Sequence, residues 1–448
     1  MASVDSKSGD VIVFTPKAAK PPPATTVGVL GWLRENLFYS WFSTVITLGA
    51  LYLIYVVCAA LYQWGIADAV WHAESRRQCL DISPDGACWA GVIDWFNNVI
   101  YGRFPREEQW RVDLGFILLI LWLAPFWFPR VTGKIGIGIT AVVFYPFLAA
   151  YLFAGGERGW FLDMMVMLSV TVFITNWLHI ILCLLTGRSL KDWVVNLTGF
   201  AGKHETMHKY PMLGFQAIIL IGVFLWLGDW SVAEVNTNLW GGLFLTLLIS
   251  GVAIVTALPG GVVLALGRRS HMPVIRVFSV AFIELFRSVP LITVLFMAVT
   301  MMPLFLPPDF QLNKLVQAII GVCLFAAAYM AEVVRGGLQA VPNGQYEAAK
   351  AMGLTYWKSM NLIILPQALK LMIPNIVSNF IGLLKDTTLV SIIGLYDMLL
   401  MLKAIGQNPK WISLHTEPLI FGALVYFVLC FAMSQYSQAL ERRLKTTR

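Results

Sequence analysis

The sequence predicts an all-α, polytopic transmembrane helical bundle of about eight to ten spans, and two observations carry that prediction. Of its 448 residues, 58% are hydrophobic and only 13% charged, with a mean hydropathy of +0.72. Such a composition is too apolar for a water-soluble domain. The apolar residues are also gathered into long runs. A helix rising about 1.5 Å per residue needs roughly 20 of them to cross a hydrocarbon core of about 30 Å.

Residues 1–40 carry Lys7, Lys17, Lys20, Arg34 and the Pro21-Pro22-Pro23 run ahead of any long apolar stretch. They show no cleavable signal and read as a disordered cytosolic tail. Apolar runs follow at 41–63, 113–129, 135–154, 162–186, 212–229, 240–267, 275–303, 313–335, 373–401 and 417–438. The second and third are the weakest, because Leu114 to Phe128 is short and contains Pro125, which leaves eight spans as the lower count. The chain divides by character into an accessory region, 41–230, and a denser second part, 231–448. No internal repeat is evident.

Orientation follows from the short loops, since basic residues are retained on the cytoplasmic side. One parity puts Arg130 and Lys134, then Arg188, Lys191, Lys203 and Lys209, then Arg268, Arg269 and Arg276, and Arg442, Arg443, Lys445 and Arg448 inside with both termini. The loop at 64–112 is kept outside, because seven acids outweigh its five arginines. Trp41, Trp64, Trp230, Trp240 and Trp411 suit the interfacial belts. Within the outer loop, Trp89, Val92, Ile93, Phe96, Val99 and Ile100 recur at helical spacing. That helix either lies along the membrane surface or packs under neighbouring spans.

The net charge of +7 is explained by topology, since the basic residues sit in short clusters rather than one nucleic-acid-binding stripe. Cys58, Cys183, Cys323 and Cys430 fall in separate apolar runs and act as small hydrophobes. Cys79 and Cys88 share the outer loop, where they are either a disulfide or two free thiols.

The stretch at about 338–368 is the most informative. Gly336, Gly337 and Pro342-Asn343-Gly344 are expected to end one helix and turn the chain. Residues 345–352 then favour a short helix with Glu347 in its first turn, stopped by Gly353. Thr355 can cap a further helix from Tyr356, broken at Pro366. A short helix projecting from a membrane is a lever that another protein can grip.

Glu347, Ala348, Ala349, Gly353, Ile363, Leu365 and Pro366 reproduce a Glu-Ala-Ala-x3-Gly-x9-Ile-x-Leu-Pro pattern. In this the chain resembles bacterial ABC importer permeases. The flanks Ala328–Gly337, Leu365–Leu369 and Leu383–Leu389, with Glu284–Leu291, resemble the polar amino acid permeases. Residues 230–448 carry the close likeness, and the first part is similar in layout to membrane subunits of general L-amino acid systems. The resemblance implies a five-to-six-helix permease core and a second homologous permease chain. It also implies an ATPase dimer that binds ATP and Mg, and a periplasmic amino-acid-binding protein. Gln345 to Gly353, with Ile363, Leu365 and Pro366, would couple to the ATPase. This chain itself would carry no cofactor, its ligands being an L-amino acid and membrane lipid.

Glu284 and Arg287 are three residues apart in an apolar run, as are Glu332 and Arg335, so each pair shares a helix face. Charges inside a bilayer are costly unless paired or facing a cavity. Each pair either neutralises itself or serves the pathway. Lys385 and Asp386 are adjacent and diverge, so they need other partners. Glu284, Arg287, Lys385, Asp386 and Thr387 are therefore the candidate lining of a substrate route.

His204-Glu205-Thr206-Met207-His208 fits the H-E-x-x-H zinc protease pattern. Lys203 and Lys209 flank it, Pro211 follows at once and no third ligand is near, so a solvated basic loop is expected and no metal. There is no G-x-x-x-x-G-K-[ST], so a P-loop site for ATP must belong to a partner. An ion-driven secondary transporter fits the composition but needs no coupling loop.

Overall fold

The structure is a computed structural model describing residues 28–128, 130–156, 159–187, 189–190, 193–194, 209–227, 231–307 and 312–445. The first 27 residues of the expected tail, the bases Arg188, Lys191, Lys203 and Arg448, Trp230 and the whole of His204–His208 lie outside the described residues. Two compact units are present. One holds the described residues to Val70 with Cys79–Ala87; the other holds Trp71–Gln78 and the described residues from Cys88 onward.

In the first unit, α1 (Gly28–Asn36) precedes α2 (Trp41–Tyr62), which ends in a π-helical turn at Gln63–Ala67. Ser40 caps α2 by accepting from the Ser43 amide at 3.1 Å, and the Ser43 and Thr47 hydroxyls donate to the Leu37 carbonyl at 2.9 Å each. These bonds satisfy groups that a helix start leaves unpaired. No residue of α2 is buried, as suits a helix whose apolar side chains face lipid.

Of the short helices in the outer loop, α3 is Arg76–Ile82, α4 Ala90–Asp94 and α5 Phe96–Tyr101. The expected single helix over 89–100 is thus two, parted at Trp95, and it packs inward: Val92 and Val99 are buried, and the Trp411 indole donates to Asp94 at 2.8 Å. Glu417 ties the same region by accepting from the Cys88 amide at 3.0 Å and pairing with Arg76 at 3.2 Å. Cys79 and Cys88 are each disulfide-bonded, while the other four cysteines are free.

Long helices follow: α6 (Gln109–Leu123), α7 (Lys134–Ala154), α8 (Trp160–Thr186), α9 (Lys209–Leu227) and α10 (Gly242–Arg268). Then come α11 (Pro273–Ser288), α12 (Leu291–Thr300), α13 (Lys314–Ala340), α14 (Asn343–Ala351), α15 (Tyr356–Ser359), α16 (Leu365–Asp386), α17 (Met398–Ile405) and α18 (Thr416–Lys445). Among the described residues eight helices are long and apolar enough to cross a membrane, or nine with the bent pair α11 and α12. The two weakest runs both become such helices, Arg106–Trp127 and Lys134–Ala154, whereas α9 contributes only a shorter apolar helix at Gly214–Trp226.

Several expectations are corrected. The run 275–303 is not one straight span but two helices meeting at 108°. Pro290 has no N–H to continue the ladder, and it holds Val289 extended at φ −109°, ψ 135°. The run 373–401 is displaced toward the N-terminus: the long apolar helix covers Tyr356–Ser391, its last turn Thr387–Ser391 being 3-10, and the residues after it do not continue the span. Val390, Leu395 and Met398 are instead buried inside the protein, and Tyr396–Asp397 bridge Gly241 and Gly242. Asp397 then starts α17, accepting from the Leu399 and Leu400 amides at 3.1 Å each. Burial pushes its carboxyl up to about 6, against the lowering effect of those two amides.

The most extensive helix pairing is α10 with α13, followed by α13 with α16. Gly336 and Gly337 do not end α13, which runs on to Ala340. A Cβ on Gly337 would sit 2.6 Å from the Ala368 carbonyl oxygen, so the glycine serves the close approach of α16 and the turn waits for Pro342. In the same unit, Phe104, Phe153, Trp240 and Phe244 form one ring cluster, with Phe153 and Phe244 centroids 5.0 Å apart. Helices on either side of residue 230 thereby share a core.

Candidate functional site

Two features stand out on the second half of the chain: the short helix α14 and a charged junction beneath it. Pro342 precedes α14, whose nine residues make two turns before Gly353. Because the helix begins at Asn343, Glu347 falls in the second turn and not in the first. Gly353 adopts φ +69° while its amide donates to the Lys350 carbonyl at 2.9 Å, a left-handed ending that a side chain disfavours. Beyond it Pro366 does not break the next helix. It sits at the start of α16 after a π-helical turn, Met360–Ile364, and Tyr356–Ser391 is one long apolar helix. The wider π turn spares the bond that the missing proline N–H cannot make. Thr355 precedes α15 without a side-chain cap bond.

Of the coupling residues, Gln345, Glu347, Ala348, Gly353 and Pro366 are exposed, Ile363 and Leu365 are half-buried, and Ala349 is buried against the bundle. Two side chains of α14 anchor it, Tyr346 and the exposed Gln345. The Tyr346 hydroxyl donates to the Leu338 carbonyl at 2.8 Å and accepts from Arg269 at 3.0 Å, and Gln367 donates to Gln345 at 3.1 Å. Met352 and Trp357, 79% and 62% exposed, extend the surface with apolar area that sequence reasoning passed over. Their neighbourhood to the Glu347 pattern was the available signal.

The charged junction is organised differently from the expectation. Glu284 does not pair with Arg287; it pairs with Arg268 of α10 at 3.0 Å. Glu332 is the centre, with Arg268 at 2.8 Å, its own-helix partner Arg335 at 2.7 Å and Arg287 at 3.7 Å. Three helices, α10, α11 and α13, are tied at one carboxylate. A spacing of three residues on one face brings side chains near, but a half-buried carboxylate collects whichever cations the tertiary packing supplies.

Above this junction a cavity of about 630 Å³ opens between α13 and α16, lined by Tyr329, Glu332, Asn375, Ser378, Asn379 and Asp386 among others. Only Asp386 of the five candidate route residues reaches it. Thr387 is buried and donates to the Leu384 carbonyl at 2.7 Å; Lys385 is exposed; Glu284 and Arg287 belong to the junction. Asn375, Ser378, Asn379 and Gly382 were missed, although their spacing of three to four residues up to Asp386 is a polar stripe readable in the sequence. Among the described residues no group of three or more His, Cys, Asp or Glu side chains could hold a metal.

Residues 257–446 match the family described as the inner membrane component of binding-protein-dependent transport systems. The chain is 37% identical, over 96% of both lengths, to the inner membrane amino-acid ABC transporter permease protein YhdY of Escherichia coli strain K12. The chain belongs to this family. A second full-length relative, the glutamate/glutamine/aspartate/asparagine transport system permease protein BztC of Rhodobacter capsulatus, is 39% identical over 96% of each chain. The glutamate/aspartate import permease protein GltK of Escherichia coli O6:H1 matches 48% of this chain with 97% of its own length, at 35% identity. The permease is thus an integral inner membrane protein of the ABC importer class. Members of that class are non-catalytic membrane subunits that work with an ATPase and a substrate-binding protein.

Proposed function

We propose that this permease forms the membrane pathway of an ATP-driven importer of L-amino acids and that α14 is where a separate ATPase acts on it. The observation that carries the reading is α14 itself: two turns outside the apolar helices, anchored through Tyr346 and Ala349, with Gln345, Glu347, Ala348 and Met352 turned outward. An ATPase closing around ATP and Mg holds one permease conformation more tightly than another, and a rigid helix transmits that difference. Hydrolysis belongs to the ATPase dimer, and no cofactor resides in this chain.

The amino-acid cargo rests on the names of the full-length relatives. A second homologous permease chain completes the pathway, and a periplasmic amino-acid-binding protein delivers the substrate. Both termini are cytoplasmic in this reading, and residues 64–112 face the periplasm. The disulfide-bonded Cys79 and Cys88 suit that compartment. Residues 1–40 act as a cytosolic tail, 41–230 as an accessory membrane region, and 231–448 as the core with its coupling loop at 338–368. Within the core the polar stripe ending at Asp386 contacts the substrate, while Glu284 and Arg287 act through the junction below it; Lys385 and Thr387 flank the stripe.

The test is uptake by vesicles containing the permease, its ATPase and its binding protein. Amino-acid uptake is expected to require ATP and to survive collapse of ion gradients. Glu347→Lys is expected to abolish uptake and ATPase stimulation while the chain still inserts. Normal uptake by that variant removes α14 from the mechanism.

A further inference from the structure

The turn between α10 and α11 encloses a recess of about 650 Å³ that the transport reading does not use. Arg268, Arg269, Ser270, His271, Arg276 and Val277 line it, and no acidic side chain does. Arg268 is already matched by Glu284 and Glu332. Arg269 is held in place by a neutral group: it donates to the Tyr346 hydroxyl at 3.0 Å, with its guanidinium 5.6 Å from that ring's centroid. Among the described residues neither Arg269 nor Arg276 has a carboxylate partner. Two guanidinium groups and an imidazole thus share a concave site with uncompensated positive charge.

The surface beside the recess is apolar. Val274, Val277, Phe278 and Leu285 fall on one face of α11 and are 79%, 66%, 66% and 58% exposed. Val277 belongs both to this stripe and to the wall of the recess. A cationic hollow at the end of an apolar helix, continuous with an exposed apolar stripe, complements a molecule with an anionic head and hydrocarbon tails.

We propose that this recess binds the phosphate group of an acidic phospholipid, with Arg269 and Arg276 on the phosphate oxygens and the acyl chains along α11. Guanidinium groups suit phosphate because they present paired donors in a plane. Free phosphate offers the same head chemistry but makes no use of the apolar stripe. The inference does not depend on an ATPase binding α14, although Arg269 also holds Tyr346 of that helix.

Native mass spectrometry of the full chain in detergent tests it, with phosphatidylglycerol, phosphatidylcholine and inorganic phosphate as the probes. Phosphatidylglycerol is expected to bind more tightly than phosphatidylcholine, and Arg276→Gln and Arg269→Gln each to weaken it roughly fivefold. Arg276 is exposed and without an ion-pair partner, so its replacement leaves the fold intact, and Arg276→Lys, which keeps the charge but loses the paired donors, is expected to weaken binding less than Arg276→Gln. Millimolar inorganic phosphate is expected not to displace the lipid. Displacement would reassign the recess to a free anion and overturn the lipid proposal. Equal affinity for both lipids, or unaltered phosphatidylglycerol binding by the Arg269→Gln, Arg276→Gln double variant, would also overturn it.

Discussion

Replacing Glu332 with Gln removes the one negative charge on which α10, α11 and α13 converge, while leaving a side chain of the same size and an oxygen that still accepts. Three arginines surround it at 2.8, 2.7 and 3.7 Å, and the carboxylate is only 14% exposed. Pairs near a protein surface attract by about 4 kcal/mol at about 4 Å before desolvation is counted, and breaking a fully buried pair costs about 3–5 kcal/mol. The arginines are 28%, 33% and 37% exposed, so water screens part of each interaction, and Arg268 keeps Glu284 as a second partner. The net loss is therefore placed between the fully buried and fully exposed limits, at about 2 kcal/mol. Thermal unfolding of the purified permease, followed by intrinsic tryptophan fluorescence, is expected to shift down by several degrees. Amino acid imported per ATP hydrolysed is expected to fall as well, because the junction lies where α13 leads into α14. In a double-mutant cycle, Glu332→Gln should show coupling to Arg335→Gln of about 1 kcal/mol and a smaller coupling to Arg287→Gln, which stands farther off. An unchanged midpoint together with unchanged transport per ATP would refute the view of Glu332 as the tie between these helices.

Two other outcomes follow from local geometry. Gly353 has φ +69° and open space where a Cβ would be, so Gly353→Ala costs only backbone strain, about 1 kcal/mol, and Gly353→Asn less. Co-purification of the ATPase is expected to drop in the order Gly, Asn, Ala, and equal recovery of all three would remove the requirement for a left-handed ending. Asp397 has its carboxyl raised from 3.8 to about 6 by burial, so the folded state holds its proton more tightly than the unfolded chain. Its contribution is therefore most favourable below pH 3.8 and is lost as pH rises through about 6; between about pH 7 and pH 5 it changes stability by about 1 kcal/mol. Asp397→Asn keeps an acceptor for the Leu399 and Leu400 amides and is expected to flatten that part of the pH–stability profile; an unaltered slope counts against the assignment.

Length and hydropathy alone determined that this is an all-α membrane protein, because a bilayer leaves an apolar segment of about 20 residues no satisfied alternative to a helix. Spacing alone located the short helix ending at Gly353, since glycine and proline act on their own backbone and need no partner to do so. The same local logic failed where a neighbour decides. Gly336 and Gly337 look like a helix end, yet the helix runs through both and Gly337 lets α16 come close to α13. Residues 392–401 look like the end of a span, yet Tyr396 and Asp397 bridge Gly241 and Gly242, and Ile393, Leu395, Met398 and Met401 are buried in the protein. Glu284 and Arg287 look like a pair, yet Arg268 and Glu332, 64 residues apart in the chain, take their places. Hydrophobic runs and turn residues report energies that accrue within a few residues. Which cation reaches which carboxylate, and whether an apolar run meets lipid or protein, depends on contacts between segments far apart in sequence, and only the tertiary structure decided those.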